Sequence, residues 1–491
     1  MEASARPPHE PSRRAFPAGV LVGALVVAGF ASTIAALAAA WRGYHGLYPA
    51  SGTIAAIADA MLRGISPRHD DGRSFLATYY FPPFPMLVAA AHRAGLGWLA
   101  ALRTGSVVSG TLLIVVAGTS ALALGAGRRG AALAVALVLA TFPFKASILD
   151  GRADLLATAF TLAGLAAWSR DEQARGWATP AFAAAAFLTR ASSITIVLAM
   201  LAWSLRRRDR GMLARFALRL AACVAAGVLL SLPVRGPDWY ASVLRDVATH
   251  ATGRSSLLRG PAELLRYLGV CPELSVFVAF SLAALASRGM RDRPVAAFAG
   301  ASLVLSAYVM TKFASGPNHL VEPAAIAAVL AAVWAAPRLA RRSRLPAWAL
   351  AIAVLGASWR DLVPVLRHGA DAANRRAQVI ERVRAEPGDV LTEDALLSLA
   401  AGRRPAVSDM DALRAMALGG DPRALGVVDQ LATGRFALVV LNGDLETSAS
   451  WYRSIGFTDR TIPPLRARYR EAEVVDDYHL YRAQAPAARH E

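Results

Sequence analysis

From Phe16 to Trp41 the chain carries no charged residue. A bilayer hydrocarbon core of roughly 30 Å is crossed by about 20 apolar residues in an α-helix, which satisfies every backbone polar group within the segment. This block has that length, and apolar blocks follow near 102–126, 131–147, 153–168, 176–189, 191–205, 212–233, 271–287, 294–311, 319–336 and 346–358. Only 18% of the 491 residues are charged, against about a quarter in soluble domains. The chain therefore reads as mainly α, a polytopic membrane protein of about eleven transmembrane helices. Arg13 and Arg14 precede the first block as they would in a secretory signal. Such a signal has an apolar core of only about 7–15 residues, so an uncleaved first helix is expected.

The net charge of +18 does not point to nucleic acid, because the arginines punctuate the apolar blocks instead of gathering on one face. Short basic connections recur at Arg128-Arg129, Arg170 to Arg175, Arg206 to Arg210, Arg288 to Arg293 and Arg338 to Arg344. By the positive-inside rule these connections and the N-terminus are cytoplasmic, and juxtamembrane arginine also favours anionic membrane lipid. The connections at 42–101, 148–152, about 190, 234–270 and 312–318 then face outward. This alternation needs the short apolar piece 84–97 to lie on the outer surface rather than span. The two cysteines, Cys223 and Cys271, suggest neither a disulfide framework nor a metal site. No cofactor is indicated.

Near residue 365 the composition changes. The segments "VIERVRAEPGDVLTEDALLSLAAGRRPAVSD" and "FALVVLNGD" mix charge with short apolar runs. Val390-Leu391 and Ala437 to Leu441 read as buried strands. The expected organisation is a transmembrane domain over 1–364, with outer loops 42–101 and 234–270, and a soluble outer α/β domain over 365–491.

Charged groups at membrane ends are costly and are candidates for function. The first outer loop holds His45, Asp59, Asp70 and Asp71, then the rigid stretch "TYYFPPFPML" with Tyr79 and Tyr80. The second outer turn, "LDGRAD", holds Asp150, Arg152 and Asp154, and "TKFASGPNHLVEP" holds Lys312, Asn318, His319 and Glu322. Plainer roles exist for each. Asp154 suits a helix cap, Asp59 an i,i+4 pair with Arg63, and Asp70-Asp71 a solvated turn. The 312–322 cluster suits interfacial snorkelling, and the aromatics suit an interfacial belt. Three prolines without a backbone donor place the YYFPPFP stretch at the outer interface, as a wall for a lipid tail or sugar.

Three passages in order resemble the GT-C superfamily of membrane glycosyltransferases, in its dolichyl-phosphate-mannose mannosyltransferase-like and aminoarabinose-transferase-like branch. They are "AIADAMLRGISP…YYFPPFPMLVAA", "LRTGSVVSGTLL" followed by "RR", and "GRADLLATAFTLAGLAAWSRDEQARGWATPAFAAAAFLTRASS". "ASGPNHLVEP" and the tail resemble bacterial members of that group. The resemblance implies sugar transfer from a polyprenyl-phosphate donor to a lipid, glycan or protein acceptor at the outer face of a bacterial inner membrane. It also implies an outer-loop acid that takes the acceptor proton or positions the acceptor. A departing phosphate needs cations and an acceptor hydroxyl needs a base. Arg152, Lys312 and His319 suit the first need, with Asn318, Glu322, Tyr79, Tyr80 and His45 as further substrate contacts. Asp154, then Asp70 and Asp71, then Asp59 suit the second. The family's acid lies just after the first span, yet residues 42–58 contain no Asp or Glu. Either another acid takes over or transfer activity is altered. A transporter or flippase of lipid-linked saccharides and a non-catalytic scaffold are the alternatives.

Overall fold

The computed structural model describes residues 18–41, 49–65, 74–77, 80–173, 175–235, 237–251, 258–311, 316–340, 344–448, 461–475 and 477–484. Each apolar block holds a helix. In chain order these and their companions are α1 (Ala18–Trp41), α2 (Pro49–Leu62), α3 (Pro83–Arg93), α4 (Trp98–Ala123), α5 (Gly127–Ala140), α6 (Phe142–Asp150), α7 (Asp154–Arg170), α8 (Ala178–Thr189), α9 (Thr195–Arg207) and α10 (Arg210–Arg235). They continue as α11 (Pro237–Ala251), α12 (Arg259–Val270), α13 (Pro272–Ala286), α14 (Arg288–Arg291), α15 (Pro294–Val309), α16 (Val321–Ala340) and α17 (Arg344–Ala385).

Length separates helices from spans. Four segments among the described residues are long and apolar enough to cross alone: Gly19–Ala38, Trp98–Ala123, Arg210–Ser231 and Pro317–Leu339. Two bent pairs, α5 with α6 and α12 with α13, raise the number to as many as six where each pair is counted as one broken span. The eleven blocks are thus all helical, but α7, α8, α9 and α15 are shorter than a straight crossing requires. The chain is a multi-pass membrane protein. Both bends begin at proline. Pro143 and Pro272 occupy the first turns of α6 and α13, where the missing N–H costs nothing, and the axes turn by 64° and 109°.

The main core lies among α1, α4, α5, α7, α13, α16 and α17, with α16 almost wholly enclosed. Alanine and glycine allow this closeness. A side chain at Gly29 of α1 would sit 3.0 Å from Leu139 Cβ of α5.

Helix α17 runs unbroken across residue 365 and delivers the chain to a four-stranded sheet. The strands are β1 (Val390–Thr392), β2 (Leu438–Leu441), β3 (Tyr469–Val475) and β4 (Tyr478–Ala483), in the order β1-β2-β4-β3. β1 and β2 are parallel, with Val390 opposite Leu438, and both are fully buried, as continuous apolar runs should be. Helices α18 (Ala395–Ala400), α19 (Met410–Leu418) and α20 (Pro422–Ala432) belong to the same region.

Candidate active site

The "LDGRAD" turn is built by a helix end. Asp150 closes α6, Gly151 adopts a left-handed φ of +73° that ends it, and Asp154 opens α7. Asp154 is only 2% exposed, but it does not cap its helix. Its Oδ1 instead receives Nη1 of Arg190 at 2.5 Å and the Asn318 amide at 3.1 Å. Arg190 is the residue at which α8 stops. Its extended backbone pairs with Tyr80 in an isolated antiparallel bridge, which swings its guanidinium out of the helix line. Nη2 of Arg190 also donates to Nδ1 of His319 at 2.5 Å, which leaves the imidazole proton on Nε2. Asn318 and His319 are presented by a tight 3-10 turn, Pro317–Leu320, just ahead of α16.

A second ion pair adjoins this cluster. Arg152 bonds Asp150, whose Oδ1 also accepts the Ser51 hydroxyl of α2 at 2.5 Å. Burial opposes the charge on Arg152, but Asp150, Tyr80 and Asp154 more than offset it and raise its pKa, so it stays a cation. Burial pushes the Tyr80 phenol up to about 12, with Arg152, Asp154, Asp409 and Arg190 all within electrostatic reach. Tyr80 therefore keeps its proton at any physiological pH.

The tail reaches this site through α2. Asp409, the cap of α19, accepts the Thr53 hydroxyl at 3.1 Å. Asp394, the cap of α18, lies against Gly52, where an added Cβ would stand 2.2 Å from its Oδ1. The first outer loop also pairs with the tail. Phe75 N–H donates to Ala406 at 2.7 Å, and Ser408 N–H donates back to Phe75 at 3.0 Å.

Of the residues expected from sequence, Asp154, Arg152, Asn318, His319 and Tyr80 come together. Glu322 turns into the bundle, where it accepts from Thr195 and, at 2.8 Å, from Ser302. Asp59 is held by Arg63 at 3.0 Å, as the i,i+4 reading had it, and faces Arg404 and Ser408 of the tail. His45, Asp70, Asp71, Tyr79 and Lys312 lie outside the described residues. Phe81 of the "TYYFPPFPML" stretch is buried in the core, where it packs on Phe187 and Tyr240 at ring separations of 5.5 and 5.7 Å.

Arg190 was missed, although its signal was present. It is the one charge between blocks 176–189 and 191–205, in a connection that arginine counting assigns to the outer face. An arginine against the positive-inside trend asks for a partner. Among the described residues, one trio with metal-ligand chemistry forms, Asp444, Glu471 and His479, on the tail sheet. His479 Nδ1 lies 2.7 Å from Glu471 there, so a hydrogen-bonded pair accounts for most of that geometry.

No protein-family model matches the chain, and no curated protein matches it in sequence. Solved structures do match in fold. ArnT from Cupriavidus metallidurans bound to undecaprenyl phosphate superposes with a TM-score of 0.60 at 15% identity, over 94% of this chain and 98% of that one. Its apo state gives 0.56 at 15% identity, over 94% and 97%. The Archaeoglobus fulgidus oligosaccharyltransferase tethered with an acceptor peptide gives 0.56 at 13% identity, over 96% of this chain and 75% of that one. The chain shares the fold of these solved structures.

Proposed function

We propose that this GT-C-fold chain is an integral-membrane glycosyltransferase that moves a sugar from a polyprenyl-phosphate donor to an acceptor hydroxyl or amide at the outer face of the membrane. One observation carries the reading: a buried carboxylate, Asp154, is shared by a partly exposed guanidinium and an amide, beside a second partly exposed cation, Arg152. The fold shared with an enzyme crystallised on undecaprenyl phosphate supports the same donor class.

The chemistry assigns each group a task. The acceptor O–H or N–H bond breaks and its proton passes to Asp154, which Arg190 and Asn318 hold ready as a carboxylate. The new bond forms at the anomeric carbon as the bond to the phosphate oxygen breaks, so configuration inverts and polyprenyl phosphate leaves. Arg152, with the Tyr80 hydroxyl, faces the charge that grows on that phosphate. His319 fixes the second arm of Arg190. The tail, seated on Gly52 and Thr53 through Asp394 and Asp409, closes the site from the outside. Asp154 thereby takes the place of the acid that residues 42–58 lack.

The test is transfer in proteoliposomes from a labelled polyprenyl-phosphate sugar. Asp154→Asn should abolish product while the protein still binds polyprenyl phosphate. Full transfer by that variant would remove Asp154 from the chemistry, and absence of transfer from a full panel of such donors by the wild-type chain would remove the activity itself.

A further inference from the structure

At the end of the bundle opposite Asp154, α1 and α5 leave an open groove of about 470 Å³. That size falls within the roughly 300–1,000 Å³ typical of small-molecule sites. Its floor is Gly19 and Gly23, its walls include Val26 and Val27, and Arg128 and Arg129 stand at its mouth. The end is fixed by chain direction: α5 starts at the arginines, and its continuation α6 finishes at Asp150. Arginine counting assigns this face to the cytoplasm. We propose that the groove binds an anionic phospholipid, with one acyl chain along the glycines and the phosphate on Arg128 and Arg129.

The two glycines carry the argument for the chain. Glycine is a poor helix former, and in membrane helices it is usually kept where a neighbour packs closely. Gly29 of the same helix obeys that rule against Leu139. Gly19 and Gly23 do not, because among the described residues a side chain at either would meet nothing within 4 Å. Spaced by four, they share one face of α1, and what they keep open is the groove, not a helix contact.

The arginines carry the argument for the headgroup. Both are exposed, and among the described residues neither has a recorded ion pair. They lie in the first turn of α5, where the exposed N–H groups and the helix dipole also favour a phosphate. An apolar trough that ends in two free cations beside a helix start matches a lipid with a phosphate at the membrane surface. This site does not depend on the transferase reading, since it shares no residue with the Asp154 cluster.

The experiment is native mass spectrometry of the full chain with three ligands: phosphatidylglycerol, phosphatidylcholine of the same acyl chains, and undecaprenyl phosphate. Two juxtamembrane arginines should favour the anionic phospholipid over the zwitterionic one by roughly tenfold to thirtyfold. Arg128→Ala with Arg129→Ala should erase that preference. Gly23→Leu should displace the phospholipid while leaving the melting temperature unchanged, because the new side chain enters open space. Equal retention of the two phospholipids, an unaffected Gly23→Leu variant, or preferential capture of undecaprenyl phosphate would each overturn the proposal.

Discussion

The Glu273–Arg360 pair and the Asp154–Arg190 pair place the same kinds of charge in the same bundle, and they are built in opposite ways. Glu273 is fully enclosed, and both of its oxygens are taken by Arg360 at 3.0 Å in a two-pronged pair. Its Oε1 also accepts the Phe142 N–H at 3.4 Å, and Arg360 lies over the Phe142 ring. Phe142 and Glu273 each sit at the break of a bent helix pair, so this one ion pair locks both bends to α17. Asp154, in contrast, takes both of its recorded bonds on Oδ1, and its arginine is divided between the carboxylate and His319. A closed pair holds shape. A divided one presents charge to something else.

That contrast can be broken by experiment. The largest effect should come from Asp154→Asn, which keeps the shape of the side chain and removes its basicity. Loss of a general base costs about 10²- to 10⁴-fold in rate, so labelled-sugar transfer should fall at least a hundredfold. Glu273→Ala should act on stability instead, since removing one partner of a buried pair costs about 3–5 kcal/mol. Its thermal midpoint in detergent should drop sharply, while transfer well below that midpoint persists. If Glu273→Ala melted normally but failed to transfer, the division between lock and site would collapse.

The tail contact should give a smaller change. Gly52→Ala forces a Cβ into Asp394 and the α18 N-terminus, whose Leu396 N is 2.8 Å from that position. Overpacking of this kind costs about 1–3 kcal/mol, and limited proteolysis should release the tail sooner. Acidity offers a related probe. Burial raises the Asp394 pKa to about 6, above its ordinary value near 4. The folded state then holds the proton more tightly than the unfolded chain does. Its contribution to stability is complete below about pH 4 and is lost as pH rises through 6, by about 2–3 kcal/mol. Asp394→Asn, which still suits a helix cap, should flatten that part of the pH–stability curve. The opposite trend, stability gained by wild type relative to the variant between pH 4 and 6, would contradict the burial. The smallest effect belongs to the exposed Arg382–Glu473 pair on the tail. Arg382→Ala should leave the melting temperature within error, because exposed pairs are screened by water and salt.

The sequence made the bundle legible because a membrane leaves few choices. Uncharged length dictated helices, and the apolar runs at Val390-Leu391 and Ala437 to Leu441 announced two buried strands. Prolines 143 and 272 also mark the two bends, yet the block 131–147 read as one span because hydropathy ignores direction. β3 and β4 escaped notice: "YREAEVV" is a charged, largely exposed edge strand, and "YHLYRA", though an inner strand, mixes His479 and Arg482 with its buried residues. Of the site, sequence supplied Asp154, Arg152, Tyr80, Asn318 and His319 as candidates at one membrane face. It ranked Asp154 ahead of Asp59 but gave no means to separate Asn318 and His319 from Glu322, which lies in the same short segment.

Sequence by itself thus determined that the chain lies in a membrane, where its helices fall and which of its ends carry polar groups. These follow from transfer free energy, which is local and additive along the chain. Tertiary structure alone decided that Arg190 stands between Asp154 and His319, that Glu322 turns inward, and that the tail caps settle on Gly52 and Thr53. Those outcomes depend on where helix ends point after packing. A charge buried in an apolar bundle must find its partner wherever the fold brings one, and that distance is not written in the spacing of the residues.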